Sequence, residues 1–416
     1  MAKTPKIRFK NFSDEWVESR LGELGNILTG STPPTNISEL YDNNGIPWVT
    51  PTDITSNLIS KTCKRLSKKG ELVSRIVPSK TILVTCIASI GKNAMLLTRG
   101  SFNQQINSLT VNDNNDPYFL LTQSSLWSEQ MKKQAAQATM QIVNKTEFSN
   151  IKAYIPNLTE QEKIGAFFSK LDKLISLHQS KFEKLQKIKK SCLQNLFPQN
   201  NQNTPKIRFT SFSKPWETRK FSDTFIFLQN NSLSRAELSN LDGEIINIHY
   251  GDILIKYTEI LNIKTNDLTY ILDNSIIKKY QASTLQNGDI IIADAAEDQT
   301  VGKCSEITGL TNEVVLSGLH TIPCRPNEKH ANGFLGYYMN SNVYHDQLLP
   351  LLQGTKVLSI SKSALQNTDI IYPSNLAEQR KISDFFSKLD KLISLHQSKF
   401  EKLQKIKKSC LQNMFV

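Results

Sequence analysis

Basic and amide side chains are concentrated in one part of the first half of this 416-residue sequence. The segment "KTCKRLSKKGELVSR" and the residues that follow it carry Lys61, Lys64, Arg65, Lys68, Lys69, Arg75, Lys92, Asn103, Gln104 and Gln105. Lysine and arginine neutralise phosphates, whereas asparagine and glutamine form hydrogen bonds with base edges. The cluster therefore predicts a nucleic-acid contact, although each lysine taken alone is typical of an ordinary protein surface.

A second, more dispersed set of basic residues suggests further nucleic-acid contacts. It consists of Lys145, Lys256, Lys278, Lys279, Tyr280, Lys303, Lys356 and Lys362. Nothing in the spacing of either set identifies which bases would be read.

Most of the net charge lies in a repeated segment. The 29 residues Phe167–Asn195 recur without change at Phe385–Asn413, and each copy holds seven lysines against one aspartate and one glutamate. The two copies thus supply ten of the twelve net positive charges. A basic balance of this kind indicates a nucleic-acid partner, and a lysine-rich helix face in solvent explains it equally well.

The repeated segment has the period of a long helix that pairs with another helix. Apolar residues recur about every 3.5 positions, which is typical of a coiled-coil seam. The predicted seam consists of Phe167, Leu171, Leu174, His178, Phe182, Leu185 and Ile188, and of Phe385, Leu389, Leu392, His396, Phe400, Leu403 and Ile406. Thr159 with Glu162 predicts a capping box at the first helix, and Asn375 with Glu378 offers the same to the second.

The two identical helices are the nearest candidates for pairing with each other, in a parallel or an antiparallel sense. Each would be about 55 Å long. Antiparallel pairing gives the chain an approximate two-fold axis, and a register centred on His178 would bring it close to His396. The alternative is that His178 is a single polar residue at an exposed edge of the seam.

A shorter motif precedes each half. "TPKIRF", then "FS" and tryptophan, runs from Thr4 to Trp16 and again from Thr204 to Trp216. Between this motif and the repeated helix lie two divergent regions that mix apolar strand-like runs with helix-like stretches. "SIGKNAM" and "TVGKCSE" are similar in the two regions. We therefore predict an α+β fold in which one mixed α/β domain is used twice with different surfaces.

The boundaries predicted from this pattern are a first domain over 1–157, a helix and linker over 158–199, a second domain over 200–374 and a final helix over 375–416. The polar stretch "PQNNQNTP", residues 198–205, separates the halves.

Signatures of catalysis and of metal binding are absent from the sequence. It contains no GxG, no GxxxxGK[ST] and no carboxylate-x-lysine, and His249, His320, His330 and His345 show neither HExxH nor HxH spacing. Each of these histidines is more typical of a core or a surface than of a ligand. Six scattered cysteines argue against a disulfide framework or a zinc site. With no signal-peptide pattern and no long apolar run, we expect a non-enzymatic cytoplasmic protein.

The ordered set of motifs resembles the specificity subunit of type I restriction-modification systems. The likeness lies in "LTGSTPPT" (28–35), "GIPWVTPTDI" (45–54), "SFNQQINSL", the two "EQxKI" helix starts and the repeated helices. The resemblance implies two target recognition domains joined by two long helices in a pseudo-two-fold antiparallel coiled coil. Because "TGSTPPT" and "GIPWVTPTDI" occur only in the first half, the second half is expected to be a different class of recognition domain with a different half-site.

The resemblance also implies partners. These are double-stranded DNA with a bipartite asymmetric target, two methyltransferase subunits that bind S-adenosylmethionine and methylate adenine, and restriction subunits that act as ATP- and Mg-dependent translocases and endonucleases. No cofactor or metal would be bound by this chain, and no membrane is expected as a partner. The helix lysines would contact either DNA phosphates or the methyltransferases; we favour the latter because a four-helix arrangement buries the apolar stripe better.

Two other classes remain open from the sequence. One is a coiled-coil adaptor that holds two protein-binding domains apart, which would show little salt-sensitive DNA affinity. The other is an enzyme whose site is built from unfamiliar residues.

Overall fold

The computed structural model describes residues 4–136, 142–199, 202–265 and 267–416. The chain forms two compact units, one of residues 1–179 with 397–416 and the other of residues 180–396. Within the predicted linker, Asn200 and Asn201 lie outside the described residues. The limits 1–157 and 200–374 stay a prediction, since each compact unit also includes a part of both long helices.

The first unit contains ten strands, four shorter helices and part of the first long helix in its described residues. The strands are β1 (Val17–Arg20), β2 (Gly25–Thr29), β3 (Tyr41–Val49), β4 (Leu58–Ile59), β5 (Lys64–Leu66), β6 (Ile82–Thr85), β7 (Asn93–Leu96), β8 (Ser101–Phe102), β9 (Ile106–Val111) and β10 (Lys152–Ile155). The helices are α1 (Leu21–Leu24), α2 (Lys68–Leu72), α3 (Pro117–Ala136), α4 (Lys145–Ser149) and the long α5 (Leu158–Asn195).

The second unit repeats this arrangement with additional short elements. Its strands are β11 (Glu217–Lys220), β12 (Phe225–Phe227), β13 (Leu238–Ser239), β14 (Ile245–Ile248), β15 (Ile260–Asn262), β16 (Thr269–Ile271), β17 (Ile290–Ala293), β18 (Ala295–Ala296), β19 (Cys304–Thr308), β20 (Val314–Ser317), β21 (Thr321–Pro326), β22 (Leu358–Ser359) and β23 (Asp369–Tyr372). Its helices are α6 (Phe221–Thr224), α7 (Tyr250–Ile255), α8 (Ile277–Tyr280), α9 (Phe334–Met339), α10 (Asn342–Leu348), α11 (Lys362–Gln366) and the long α12 (Leu376–Asn413).

The main sheets of the two units have the same strand order. A five-stranded sheet runs β2-β9-β6-β7-β4 in the first unit and β12-β21-β17-β19-β15 in the second. In both sheets the last strand is parallel to its neighbour and the other pairs are antiparallel. The apolar runs "TILVTCIA" and "DIIIADAA" form the buried central strands β6 and β17.

The two halves share a topology around these motifs, as expected for one domain used twice. "GIPWV" forms the end of β3, which pairs in parallel with β8, and "EIINI" supplies β14, which pairs in parallel with β20. A buried strand requires only apolar, β-favouring residues and not particular ones, so the motif of the first half need not recur in the second. The expectation that the second half is a different class of recognition domain with a different half-site stays a prediction.

The repeated "TPKIRF" motif fastens each domain to the start of its long helix. Arg8 forms two hydrogen bonds of 2.7 Å with the fully buried carboxylate of Glu160, and Arg208 forms bonds of 2.7 and 2.9 Å with Glu378. Paired N–H donors of arginine match a carboxylate closely, so each buried charge is compensated.

The helix caps agree only in part with the sequence prediction. Asn375 caps α12, because its side chain accepts from the backbone N–H of Ala377 at 2.8 Å, but the carboxylate of Glu378 binds Arg208 and does not complete the predicted capping box. The prediction for α5 is wrong: Asn157, rather than Thr159, accepts from the N–H of Glu160 at 3.0 Å. The helix begins one residue before Thr159, so this threonine already lies within the first turn.

The cores of the two units are built from equivalent aromatic residues. In the first unit Phe415 lies 6.1 Å from Trp16 and 5.8 Å from Phe168 between ring centroids. In the second unit Phe197 lies 6.2 Å from Trp216 and 6.0 Å from Phe386. The residues that follow each long helix therefore complete the domain that the other helix begins.

The described residues include no helix that is both long enough and apolar enough to cross a membrane.

Candidate nucleic-acid interface and helix pairing

The basic segment of the first unit lies on the surface around β5 and α2. Lys61, Lys64, Lys68, Lys69 and Arg75 are exposed, whereas Arg65 is half-buried. Arg65 donates its Nε–H to the carbonyl of Gly45 at 2.7 Å, so it supports β3 rather than projecting freely. Lys68 pairs with Glu71 at 3.3 Å, and Lys69 pairs with Glu39 at 2.5 Å. Exposed pairs of this kind contribute little stability, so these lysines can exchange partners at small cost.

The amide run of the first unit lies between β8 and β9. Gln104 is exposed and Gln105 is half-buried, but Asn103 is buried and forms hydrogen bonds with Gln105 through both ends of its amide, at 2.9 and 3.1 Å. Asn103 therefore shapes the turn. The prediction that its side chain reads a base is wrong. Lys92 and Lys145 are exposed.

One predicted contact of the second unit is wrong because the side chain is buried. Tyr280 is only 6% exposed and packs in a small cluster with Ile245, Ile271 and Leu316. Lys303 is half-buried: it donates to the carbonyl of Leu254 at 2.9 Å, and burial lowers the pKa of its amine. In the sequence both residues are indistinguishable from surface ones, because their exposure depends on neighbours far away along the chain.

The other basic residues of the second set, Lys256, Lys278, Lys279, Lys356 and Lys362, are exposed. The amine of Lys362 lies 5.5 Å from the ring centroid of Phe227 and donates to the carbonyl of Leu228 at 3.3 Å. The contact of these residues with DNA stays a prediction.

In each unit the same backbone contacts join three chain segments beside the five-stranded sheet. The carbonyl of Phe102 accepts from the N–H of Ser31 at 2.9 Å, and that of Val49 accepts from Asn103 at 2.9 Å. Ser317 and Ile248 accept in the same way from Asn231 and Gly318, both at 2.8 Å. We call the surface around these junctions the strand-end surface.

The two long helices run antiparallel within each unit. In the first unit Asp172 pairs with Lys407 at 2.6 Å, and Phe168, one turn earlier, contacts Phe415, further along the chain. In the second unit Lys189 pairs with Asp390 at 2.7 Å and Phe197 contacts Phe386. Later residues of one helix thus lie beside earlier residues of the other, which is the antiparallel arrangement that the family resemblance implied.

The ion pairs of the helices are reciprocal in the two units. Asp172 and Asp390 are equivalent positions of the repeat, as are Lys189 and Lys407. Each of these pairs lies within one unit, whereas His178 and His396 belong to different units, so the predicted pairing of the two histidines stays a prediction.

The predicted seam is also only partly buried. Leu171 and Leu389 are buried, and Phe167, Phe182, Leu185, Phe385, Phe400, Leu403, His178 and His396 are half-buried. Leu174 and Leu392 are 45% exposed, and Ile188 and Ile406 are 38% exposed. In the first unit Ile175 packs in the core instead, together with Phe168 and Leu171, because these three positions share one side of a helix with 3.6 residues per turn.

Exposed apolar residues consequently form a second surface on each helix copy, separate from the pairing surface. On the first copy Leu174, Leu177 and Ile188 are exposed, and Leu392, Leu395 and Ile406 repeat them on the second. We call these the outer apolar positions. Lysines surround them in the sequence, and the stems of such side chains can cover neighbouring apolar surface.

No cluster of three or more His, Cys, Asp or Glu side chains suited to a metal ion occurs in the described part of the chain. Burial raises the pKa of the Cys86 thiol to about 12 and that of Cys324 well above its usual value. Such thiols are protonated at neutral pH and are poor nucleophiles.

Comparison with known proteins identifies the family. The description "Type I restriction modification DNA specificity domain" matches the chain twice, over residues 13–189 and 213–406. The chain belongs to the type I restriction-modification DNA specificity family. Both matched segments include one domain and most of one long helix, so the repeat seen in this specificity chain is the repeat of the family, and the resemblance predicted from the sequence is confirmed.

One relative of this specificity chain matches nearly its whole length. The chain is 23% identical over 409 residues to the type I restriction enzyme MjaVIII specificity subunit of Methanocaldococcus jannaschii, and the match covers 96% of this chain and 91% of the relative. It is 30% identical over 166 residues to the HindI specificity subunit of Haemophilus influenzae, or 37% and 36% of the two chains.

A solved type I S subunit from M. genitalium shares the fold, with a TM-score of 0.64 at 14% identity over 99% of both chains. The predicted fold class is thereby confirmed. Sequence reasoning missed the polar residues of the strand-end surface in the second unit, among them His249, Tyr250, Asp294 and His320, since no motif or spacing marks them.

Proposed function

We propose that this chain is the non-catalytic specificity subunit of a restriction-modification complex and that each unit reads one half of a bipartite, asymmetric double-stranded DNA target. The observation that carries the proposal is the pair of strand-end surfaces. They rest on equivalent backbone hydrogen bonds but carry different side chains. A shared framework with different contacts gives two different half-sites, whereas identical surfaces would give a symmetric target.

The repeated helices support a second part of the proposal, in which two copies of one methyltransferase dock on the outer apolar positions. These positions have the same sequence in both copies and nearly equal exposure. Equivalent surfaces suit two copies of one partner. In this proposal the methyltransferases bind S-adenosylmethionine and methylate adenine, while restriction subunits use ATP and Mg²⁺ to translocate and cleave DNA.

The test is to map methylated adenines in the DNA of cells that contain this chain together with the methyltransferase of its system. The expected result is one asymmetric sequence with two short specified parts and an unspecified gap. A symmetric or continuous sequence would contradict the use of the two units as separate readers. A weak DNA affinity that does not change with salt concentration would favour the alternative, a coiled-coil adaptor that holds two protein-binding domains apart.

The role of the helix lysines needs a separate experiment that leaves the helix pairing intact. Lys189 bridges Asp390 and Glu259, so it must not be changed. Charge reversal of Lys187 and Lys190, with Lys405 and Lys408 on the other copy, changes only exposed lysines. Loss of DNA affinity by an assembled complex would assign them to phosphates, and loss of assembly would assign them to the methyltransferases.

Docking on the outer apolar positions can be tested with the same substitution on both helix copies. Leu174→Ser with Leu392→Ser removes exposed apolar surface while leaving the buried neighbours Leu171 and Leu389 in place. We expect weaker methyltransferase binding without loss of helical content, measured by titration of the partner. Unchanged binding would place the docking surface elsewhere.

A further inference from the structure

One residue of the second strand-end surface is held in an unusual backbone conformation. His320 has a φ of 54°, a left-handed value that residues with side chains seldom adopt. It precedes β21 in the turn that follows β20, and its side chain is 52% exposed. A strained, exposed residue persists only where its surroundings hold it in place, and such residues are concentrated at functional sites.

The imidazole of His320 is held by two neighbours from different segments. Its Nδ1 lies 3.3 Å from the carboxylate of Asp294, and its ring packs edge-on against Tyr250 at 5.2 Å between centroids. Tyr250 is in turn packed against the buried ring of His249 at 4.6 Å. The orientation of an exposed ring is thus fixed before any ligand arrives, which reduces the entropy lost on binding.

The equivalent position in the first unit is Gln105. The N–H of Cys86 donates to the carbonyl of Gln105 at 2.8 Å, and the N–H of Asp294 donates to that of His320 at 3.1 Å. Both residues immediately precede the strand, β9 or β21, that pairs with the central strand. The same framework position therefore carries an amide in one unit and an imidazole in the other.

We propose that His320 reads a base of the second half-site, with Asp294 and Tyr250 as positioning residues, and that Gln105 holds the corresponding place in the first. This inference rests on the proposed function and adds the residue that distinguishes the half-sites. The amide oxygen of Gln105 accepts from Asn103 at 2.9 Å but has a second lone pair, so together with its N–H donors it still suits adenine. An imidazole offers a single ring nitrogen once Nδ1 faces a carboxylate. The two positions accordingly prefer different base pairs.

The main test exchanges the two residues in the full chain. His320→Gln, assembled with its methyltransferase, is expected to change the preferred base at one position of the second half-site by roughly 10- to 100-fold, with the first half-site and the gap unchanged. Gln105→His should change the preferred base at one position of the first half-site and leave the second half-site unchanged. Lys329→Gln is the control, since this exposed lysine follows the far end of β21.

A glycine variant separates recognition from folding. His320→Gly removes the ring but suits a positive φ, so the chain should fold with a melting temperature equal to or above that of the wild type while its second half-site becomes degenerate at one position. Asp294→Ala should weaken the same base preference. Asp294→Asn should retain it, because an amide oxygen can still accept from the ring.

The outcomes distinguish this inference from the proposed function. If the wild type methylates a bipartite sequence and the His320 variants methylate the same sequence with the same preference, the inference is wrong and the proposed function stands. If the wild type shows no bipartite target, both are overturned.

Discussion

The two units differ in how they cap the helix that follows the five-stranded sheet, although the surrounding framework is the same. In the first unit the side chain of Asp116 accepts from the N–H of Phe119 at 2.7 Å at the start of α3. In the second unit Ala331 occupies the place of Asp116. The backbone N–H of Asp116 donates to the side chain of Gln161 at 3.0 Å, and that of Ala331 donates to the equivalent Gln379 at 2.9 Å.

The second unit replaces this local cap with a carboxylate from a distant strand. Glu306 of β19 accepts from the N–H of Gly336 at 2.9 Å and from that of Gly333 at the start of α9. Its equivalent in β7, Met95, is an ordinary core residue. The domains have diverged even in buried chemistry, while the contacts with the identical helices have been kept.

Removal of the aromatic ring that completes each core should lower the stability of the unit most. Phe197 is fully buried and Phe415 is 8% exposed near the end of the chain. We expect Phe197→Ala to destabilise the second unit by about 4 kcal/mol and Phe415→Ala to destabilise the first by somewhat less. Hydrogen exchange resolved by unit would measure both, with the exposed Val17→Ala as control. A larger loss from Phe415→Ala would contradict the comparison.

The buried arginine–glutamate pairs should respond unequally. Glu378 also accepts from the indole N–H of Trp216 at 3.2 Å, whereas the indole N–H of Trp16 has no hydrogen-bond partner among the described residues. Arg8→Ala should therefore cost the first unit about 3 kcal/mol, and Arg208→Ala should cost the second less. Urea unfolding with the same resolution by unit tests this order, and equal losses would show that the indole contributes nothing.

The buried glutamate should make the stability of the second unit depend on pH. Burial raises the pKa of Glu306 from 4.5 to about 7, although backbone N–H donors oppose the shift. The folded state thus keeps a proton that the unfolded state releases, so the free energy of unfolding falls as pH rises from about 4.5 to about 7.

Glu306→Gln should remove that dependence, which amounts to roughly 3 kcal/mol. The measurement is the difference between wild type and variant in urea unfolding at about pH 5 and about pH 8. The exposed Glu297→Gln should leave the dependence as it is. If the free energy of unfolding depended on pH equally in the wild type and in Glu306→Gln, the dependence would come from other groups.

Substitutions in the reciprocal helix ion pairs should lower the stability least. Asp172 binds Lys407 at 2.6 Å, while Lys189 holds both Asp390 and Glu259, the latter at 2.9 Å. Asp172→Asn should cost about 1 kcal/mol, and Asp390→Asn should cost less because Lys189 keeps one carboxylate. Thermal unfolding of the two variants, compared at low and high salt, tests the order. A greater loss for Asp390→Asn would contradict it.

Much of the helical framework could be predicted from the sequence, because its determinants are local or repeated. The period of the apolar residues predicted two long helices, and the recurrence of "TPKIRF" predicted that the two halves repeat one arrangement. Which helix positions face the core could not be read in the same way. A 3.5-residue pattern allows both Leu174 and Ile175 near the seam, and only the packing of the whole unit places Ile175 against the core and leaves Leu174 exposed.

The candidate reading surface was predicted as basic clusters. Most of these residues are exposed, and their contact with DNA stays a prediction. Tyr280 proved buried, Lys303 is half-buried and bonded to a backbone carbonyl, and Asn103 is bonded within its own turn. His320 was named in the sequence only as a core or surface histidine, because its distinguishing features, a positive φ and two neighbours from other segments, have no local signature.

By itself the sequence determined the two-fold repeat, the paired helices and the family, since identical segments and periodic apolar residues encode structure locally. The tertiary structure alone decided that two dissimilar domains share one strand order, which helix faces stay exposed and which side chains meet at the strand-end surfaces. Those facts depend on contacts between residues far apart in the chain, which neither composition nor spacing records.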